Sequence, residues 1–141
     1  MSPIKNLKVL ANFREVANKY EAFIIDIWGV LWDGIEPYQY SIDSLKKLIS
    51  LNKYIILLSN APRRSKVVSK RLEDIGIDSS YYHKIISSGE ICRLKFLKNK
   101  ELLNKFGYTY YFIGQEQDQT ITELLKLTET DNIKKADFVL V

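Results

Sequence analysis

Three short polar clusters close apolar runs, and each carries residues that can handle an anion or a cation. Asp26 closes Ala22-Phe23-Ile24-Ile25, Ser59-Asn60 close Tyr54-Ile55-Ile56-Leu57-Leu58, and Ser87-Ser88-Gly89-Glu90 close Ile85-Ile86. A carboxylate at the end of an apolar strand costs desolvation unless a cation or hydrogen-bond donors satisfy it. Mg2+ would do so, since it prefers carboxylate oxygen. An aspartate can also act as a nucleophile and form an aspartyl-phosphate. A serine ahead of a helix start lies where free backbone N–H groups and the helix dipole favour an anion. Acid and metal on one strand with an anion site on the next describe a phosphoryl-transfer pocket. Plainer roles compete: Asp26 as a turn former capping its own loop, and Ser59 as an N-cap only.

Other chemistries find no footing. The chain has neither a G-x-G-x-x-G nor a G-x-x-x-x-G-K-[ST] phosphate loop, and no G-x-S-x-G elbow. His83 is the single histidine, which argues against a Ser-His-Asp triad and a histidine-based zinc site. It sits among Tyr81, Tyr82 and Lys84 and reads as a surface or loop residue. Cys92, the single cysteine, lies in a helical stretch and reads as core. One cysteine excludes an intramolecular disulfide and points to a reducing, cytoplasmic setting.

The elements that must position these residues follow from periodicity. Leu7, Leu10, Phe13, Ala17 and Tyr20 recur at helical spacing across residues 5–20. Ala22–Trp28 is apolar without alternation, which predicts a strand covered on both faces. A helix over 40–51 carries Ile42, Leu45, Leu48 and Ile49, with an Asp43–Lys47 pair in support. After the strand at 54–58, Ser59-Asn60-Ala61-Pro62 predicts a helix start. Val67, Val68, Leu72 and Ile75 line that helix, and Gly76 closes it. A strand at Ile85–Ser87 leads into a helix through about Leu97. Tyr108–Ile113 then reads as a strand, Gln115–Leu127 as a helix and Ala136–Val141 as a strand. This alternation predicts an α/β fold with a parallel sheet and crossover helices. Ligands bind such sheets at the carboxyl ends of the strands. Asn104–Gly107 is the candidate boundary.

The chain has 141 residues, 46% hydrophobic and 27% charged, enough for one domain with a real core. No apolar run reaches the ~18–20 residues of a membrane span, and the N-terminus lacks the pattern of a secretory signal. Lys and Arg exceed Asp and Glu by 21 to 17. The densest basic clusters are Arg63, Arg64, Lys66, Lys70, Arg71 and Arg93, Lys95, Lys98, Lys100. Both read as solvated helix faces rather than a polyanion patch, leaving a basic nucleotide- or nucleic-acid-binding domain as the lesser alternative.

Taken in order, FIIDIWGVLWDG, IILLSNAPRRS, KIISSGE, YYFIGQEQDQTI and ADFVLV resemble the haloacid dehalogenase superfamily, class IIA, the NagD-like and p-nitrophenyl-phosphatase-like branch. The resemblance implies the N-terminal half of a Rossmann-like core over 1–104 and the beginning of an α/β cap over 105–141. It makes Asp26 the nucleophile and Mg2+ ligand, and Ser59, with Asn60 beside it, the phosphoryl-binding residues. Gly29, Val30, Asp33 and Gly34 match the rest of the first motif. Trp28 occupies the position of the usual acid/base aspartate, where its backbone carbonyl could still serve the metal. The D-x-W-G-V pattern resembles a subgroup of class IIA. The family's later lysine and acidic pair, which follow the cap, have no counterpart here.

The expectation is a Mg2+-dependent phosphatase acting on a small phosphorylated metabolite, incomplete or inactive as this chain alone. A non-catalytic remnant or interaction module is the alternative. A rival reading takes Phe112–Asp118 as the acidic motif and Lys95 or Lys98 as the lysine of a complete capless enzyme. In the family core the first strand is central, so here Ala22–Ile27 is expected at a sheet edge. That predicts association with a complementing C-terminal half or with a second copy.

Overall fold

The structure, a computed structural model, describes Leu10 and residues 12–141. In chain order the elements are α1 (Arg14–Ala17), β1 (Ala22–Asp26), α2 (Gln39–Ser50), β2 (Tyr54–Ser59), α3 (Ser65–Asp74), β3 (Lys84–Ser87), α4 (Ser88–Lys98), α5 (Lys100–Phe106), β4 (Thr109–Phe112), β5 (Thr128–Glu129) and β6 (Phe138–Leu140). Two parallel three-stranded sheets result, ordered β1-β2-β3 and β5-β4-β6. In the first, Asp26 lies beside Leu58 and Ser59 beside Ser87, so the carboxyl ends of the three strands are level.

The first core forms because α2 and α3 are each apolar along one stripe. Ile42, Leu45 and Leu48 of α2 and Val68 and Leu72 of α3 are buried with Ile55 and Leu57 of β2. Burying a side chain of this size stabilises by about 1.5–3 kcal/mol. The second sheet has its own small core of Tyr110, Ile121 and Leu140, with the Tyr110 and Phe138 rings stacked at 6.2 Å.

Several sequence expectations need correction. β1 is not covered on both faces: Phe23 and Ile25 pack on the core, while Ile24 is 70% exposed and Asp26 is exposed. The strand order explains this. Sequential parallel strands joined by right-handed crossovers place both helices on one face, and Ile24, Ile56 and Leu58 share the other. As expected, β1 is an edge, pairing only with β2 among the described residues. Ser59–Pro62 does not start a helix; a loop through Arg64 in extended backbone (φ −65°, ψ 148°) precedes α3. Gln115–Leu127 is not an α-helix. It is a 3-10 segment, Glu116–Thr122, followed by a turn in which Leu124 adopts φ +63°. Asp43 accepts from Gln39 Nε2 at 3.0 Å rather than meeting Lys47. Of the helix expected over 5–20, residues 5–9 and 11 lie outside the described residues, and the remainder holds only the four residues of α1.

Candidate active site

Asp26 is the last residue of β1, and its Oδ1 accepts the Ile27 N–H at 2.8 Å. Among the described residues its second oxygen has no hydrogen-bond partner. The loop that follows is closely built. Leu31 N–H donates to the Ile27 carbonyl and Gly29 N–H to the Trp32 carbonyl, both at 2.8 Å, and Ser41 Oγ donates to the Val30 carbonyl at 2.6 Å. Leu31 and Trp32 anchor the loop in the core. Asp33 accepts from the Glu36 and Ile35 N–H groups, which hold its carboxyl below the ordinary range. Gly34 is required at the next position: φ is +108°, and a Cβ there would sit 2.6 Å from Cη2 of Trp28. The Trp28 indole lies across this glycine, edge-on to Trp32 with ring centres 5.2 Å apart.

On the neighbouring strand end, Ser59 Oγ accepts the Ala61 N–H at 3.1 Å. The loop after it is stitched to the start of α4. Gly89 N–H donates to the Ala61 carbonyl at 3.1 Å, and the fully buried Ser87 donates to the Arg63 carbonyl at 2.7 Å while accepting the Glu90 N–H. A Cβ on Gly89 would fall 2.6 Å from Arg63 N and from the Pro62 carbonyl carbon, so only glycine lets these backbones approach.

Asp26, Trp28, Ser59 and Asn60 line one cleft of about 910 Å3 at the carboxyl end of the sheet, together with Arg63 and Arg71. The third polar cluster divides. Ser88 reaches the cleft, whereas Ser87 caps α4 and Glu90 turns to Arg64. Sequence reasoning missed Arg63, Arg71 and Trp32. The solvated faces expected for the two basic clusters hold for Lys66, Lys70, Arg71, Lys95 and Lys98, which are exposed, but not for Arg63 and Arg64, which are half-buried, or Arg93, which is buried.

Charges knit this rim to the second sheet. Arg63 Nε lies 2.8 Å from Oδ1 of buried Asp118, a charge pairing without hydrogen-bond alignment. Glu123 meets Lys66 Nζ and Arg64 Nη1, both at 2.6 Å, and these two cations hold its carboxyl below the ordinary range. Arg93 Nε donates to the Glu123 carbonyl at 3.2 Å. Asp118 is thus engaged with Arg63, β4 belongs to the second sheet, and Lys95 and Lys98 are exposed outside the cleft lining, which speaks against the capless reading. His83 is exposed as expected, accepting the Ile55 N–H at Nδ1. Burial pushes the Cys92 thiol up, in keeping with an inert residue.

Among the described residues no three His, Cys, Asp or Glu side chains gather as a metal site. Asp26 fits Mg2+ by donor type, because that ion commonly binds through one or two carboxylates and keeps several waters. A single carboxylate makes such a site weak. No helix of the described residues is long and apolar enough to cross a membrane.

The family model described as haloacid dehalogenase-like hydrolase matches residues 23–128. A protein of Schizosaccharomyces pombe named 4-nitrophenylphosphatase is 37% identical over 62 residues, 44% of this chain and 21% of that protein. A haloacid dehalogenase-like hydrolase from Brucella suis superposes with a TM-score of 0.76 at 24% identity, covering 89% of this chain and 45% of its own. The 4-nitrophenylphosphatase of Thermotoga maritima gives 0.60 at 23% identity, covering 88% and 45%. The chain therefore spans about a fifth of the yeast relative and under half of the solved structures. The family match, which spans residues 23–128, places the chain in the haloacid dehalogenase-like hydrolase family, with the fold of the solved structures it superposes on.

Proposed function

We propose that the cleft hydrolyses a phosphate monoester through an aspartyl-phosphate at Asp26. The observation that supports this reading is the meeting of Asp26 and Ser59 in one cleft, from adjacent parallel strand ends. An Asp26 oxygen attacks phosphorus, the P–O bond to the leaving group breaks, and water then hydrolyses the acyl phosphate, returning the carboxylate and releasing inorganic phosphate. Ser59 and Asn60 hold the transferred phosphoryl group. Mg2+, when bound by the Asp26 carboxylate and the Trp28 carbonyl, supplies charge neutralisation for the phosphoryl oxygens. Residues 1–104 serve as the catalytic half-core and 105–141 as the beginning of a cap, in a cytoplasmic protein acting on a small phosphorylated metabolite.

Trp28 limits the chemistry. An indole neither donates nor accepts a proton at neutral pH, so an alkoxide leaving group goes without the acid help worth about 10²–10⁴-fold. The same feature, with the single carboxylate at the metal position, favours as a second reading a non-catalytic remnant of the fold. Phosphate release from p-nitrophenyl phosphate and from an alkyl phosphate, with Mg2+ and purified chain, separates the two. The nitrophenolate departs without a proton, so slow turnover of that ester alone, abolished by Asp26→Asn, is the expected result. Turnover that survives Asp26→Asn would refute Asp26 as nucleophile, and no turnover of either ester would favour the remnant.

A further inference from the structure

Five basic residues cluster between positions 63 and 71, and four of them have acidic partners. Arg63 meets Asp118, Arg64 meets Glu90 and Glu123, Lys66 meets Glu123, and Lys70 meets Asp74. Arg71 meets no carboxylate among the described residues, and it lines the cleft that holds Asp26 and Ser59. Its guanidinium carbon lies 5.1 Å from the centre of the Trp32 ring. That ring is itself buried in the core, and the next residue, Leu72, is 1% exposed, so both the side chain's platform and its helix are fixed. Stacking occupies the face of a guanidinium and leaves its in-plane N–H fork open. A fork of that geometry matches a carboxylate or a phosphate bidentately.

We infer that Arg71 is a specificity-determining residue, which selects phosphate monoesters carrying a second anionic group, a carboxylate or a further phosphate. This rests on the phosphate-monoester reading of Asp26 and Ser59 and deepens it. The phosphoryl group sits at the strand ends, the body of the ester crosses the cleft beside Trp28, and the second anion docks on Arg71. An uncompensated cation at the rim of an otherwise neutralised cluster also draws a multiply charged anion toward the cleft.

Intrinsic fluorescence tests this directly, since the chain's two tryptophans, Trp28 and Trp32, both line the cleft. Glycerol 3-phosphate, 3-phosphoglycerate and glycerol 1,3-bisphosphate share one skeleton and differ in the second group. Titrated in Mg2+ buffer, at least one doubly anionic ester should bind about 10- to 100-fold more tightly than glycerol 3-phosphate, the worth of a charge-assisted hydrogen bond. The carboxylate and bisphosphate arms identify which anion Arg71 takes. Arg71→Gln should erase that preference, weakening the favoured doubly anionic ester about 10- to 100-fold and glycerol 3-phosphate far less, and Arg71→Lys should restore part of it. Equal binding of all three esters, or a preference that survives Arg71→Gln, overturns the inference. Ser59→Ala should weaken all three; if it weakens none while Arg71→Gln abolishes the preference, the phosphoryl-site reading fails and the Arg71 anion site stands. Binding of none of the esters overturns both.

Discussion

Replacing Asp118 by Asn should cost the fold about 2–3 kcal/mol, because it strands the Arg63 guanidinium at the cleft rim. The isosteric amide keeps the shape and removes the charge. At the observed 2.8 Å, Coulomb attraction at an effective dielectric constant near 20 is about 6 kcal/mol before desolvation is deducted. Removing one partner of a buried pair costs about 3–5 kcal/mol. Asp118 is nearly buried at 9% side-chain exposure, but Arg63 retains 25%. Water therefore recovers part of the stranded charge, which places the loss at or below the lower end of that range. With a urea dependence of about 1–3 kcal/mol/M, the midpoint followed by circular dichroism should fall by roughly 0.7–3 M. The double variant Asp118→Leu/Arg63→Met should be more stable than Asp118→Asn, since no charge is left without its partner. A loss within about 0.5 kcal/mol of the parent, the usual range for surface changes, or a double-mutant cycle without coupling, would refute the reasoning.

Gly89→Ala should destabilise by about 1–3 kcal/mol, as overpacking does, because its Cβ meets the Pro62–Arg63 backbone at 2.6 Å; thermal unfolding checks it. The Glu123 carboxyl, held low by Lys66 and Arg64, contributes stability above its unfolded pKa that is lost as pH falls through its lower folded pKa. Urea midpoints should therefore drop between weakly and strongly acidic pH, and Glu123→Gln should lessen the drop. Ile24 is 70% exposed on the edge strand β1; the chain should associate at high concentration in sedimentation, and Ile24→Lys should shift it toward monomer. A parent chain that stays monomeric at every concentration tested would contradict this.

Five of the six described strands are legible because each is an apolar run too short for a helix and bounded by polar residues; β5, the two polar residues Thr128–Glu129, carries no such signal. Asp26, Ser59 and Asn60 fell at strand ends for the same reason, and parallel pairing then levelled them. What was hidden is tertiary. The run Ala22–Ile27 looks doubly covered, yet both crossover helices take one face, a consequence of strand order that composition does not carry. Ile121, Leu124, Leu125 and Leu127 have helical spacing, but Asp118 turns inward to Arg63 and Leu124 takes a left-handed backbone. Ser59 before Pro62 looks like a helix start, but the chain bends at Pro62–Arg63 against Gly89, and Arg64 is extended before α3 begins at Ser65. Arg63 reads as solvent-facing because Asp118 is distant in sequence; Arg71 is exposed as read, and only its place over the Trp32 ring was hidden.

The order β1-β2-β3 also fixes how the chain can be assembled during synthesis. Ala22 faces Tyr54 and Ile56 faces Lys84, so each pairing closes a loop of about thirty residues, and the closure cost grows only slowly with length. In the first sheet β2 and β3 each leave the ribosome after the strand they pair with. In the second sheet β4 is central, and it must hold one side open past β5 until β6 is made. N-terminal units fold first during translation, so the strand ends bearing Asp26 and Ser59 come together while the segment carrying Asp118 and Glu123 is still being added. Those two carboxylates then arrive at basic partners already in position.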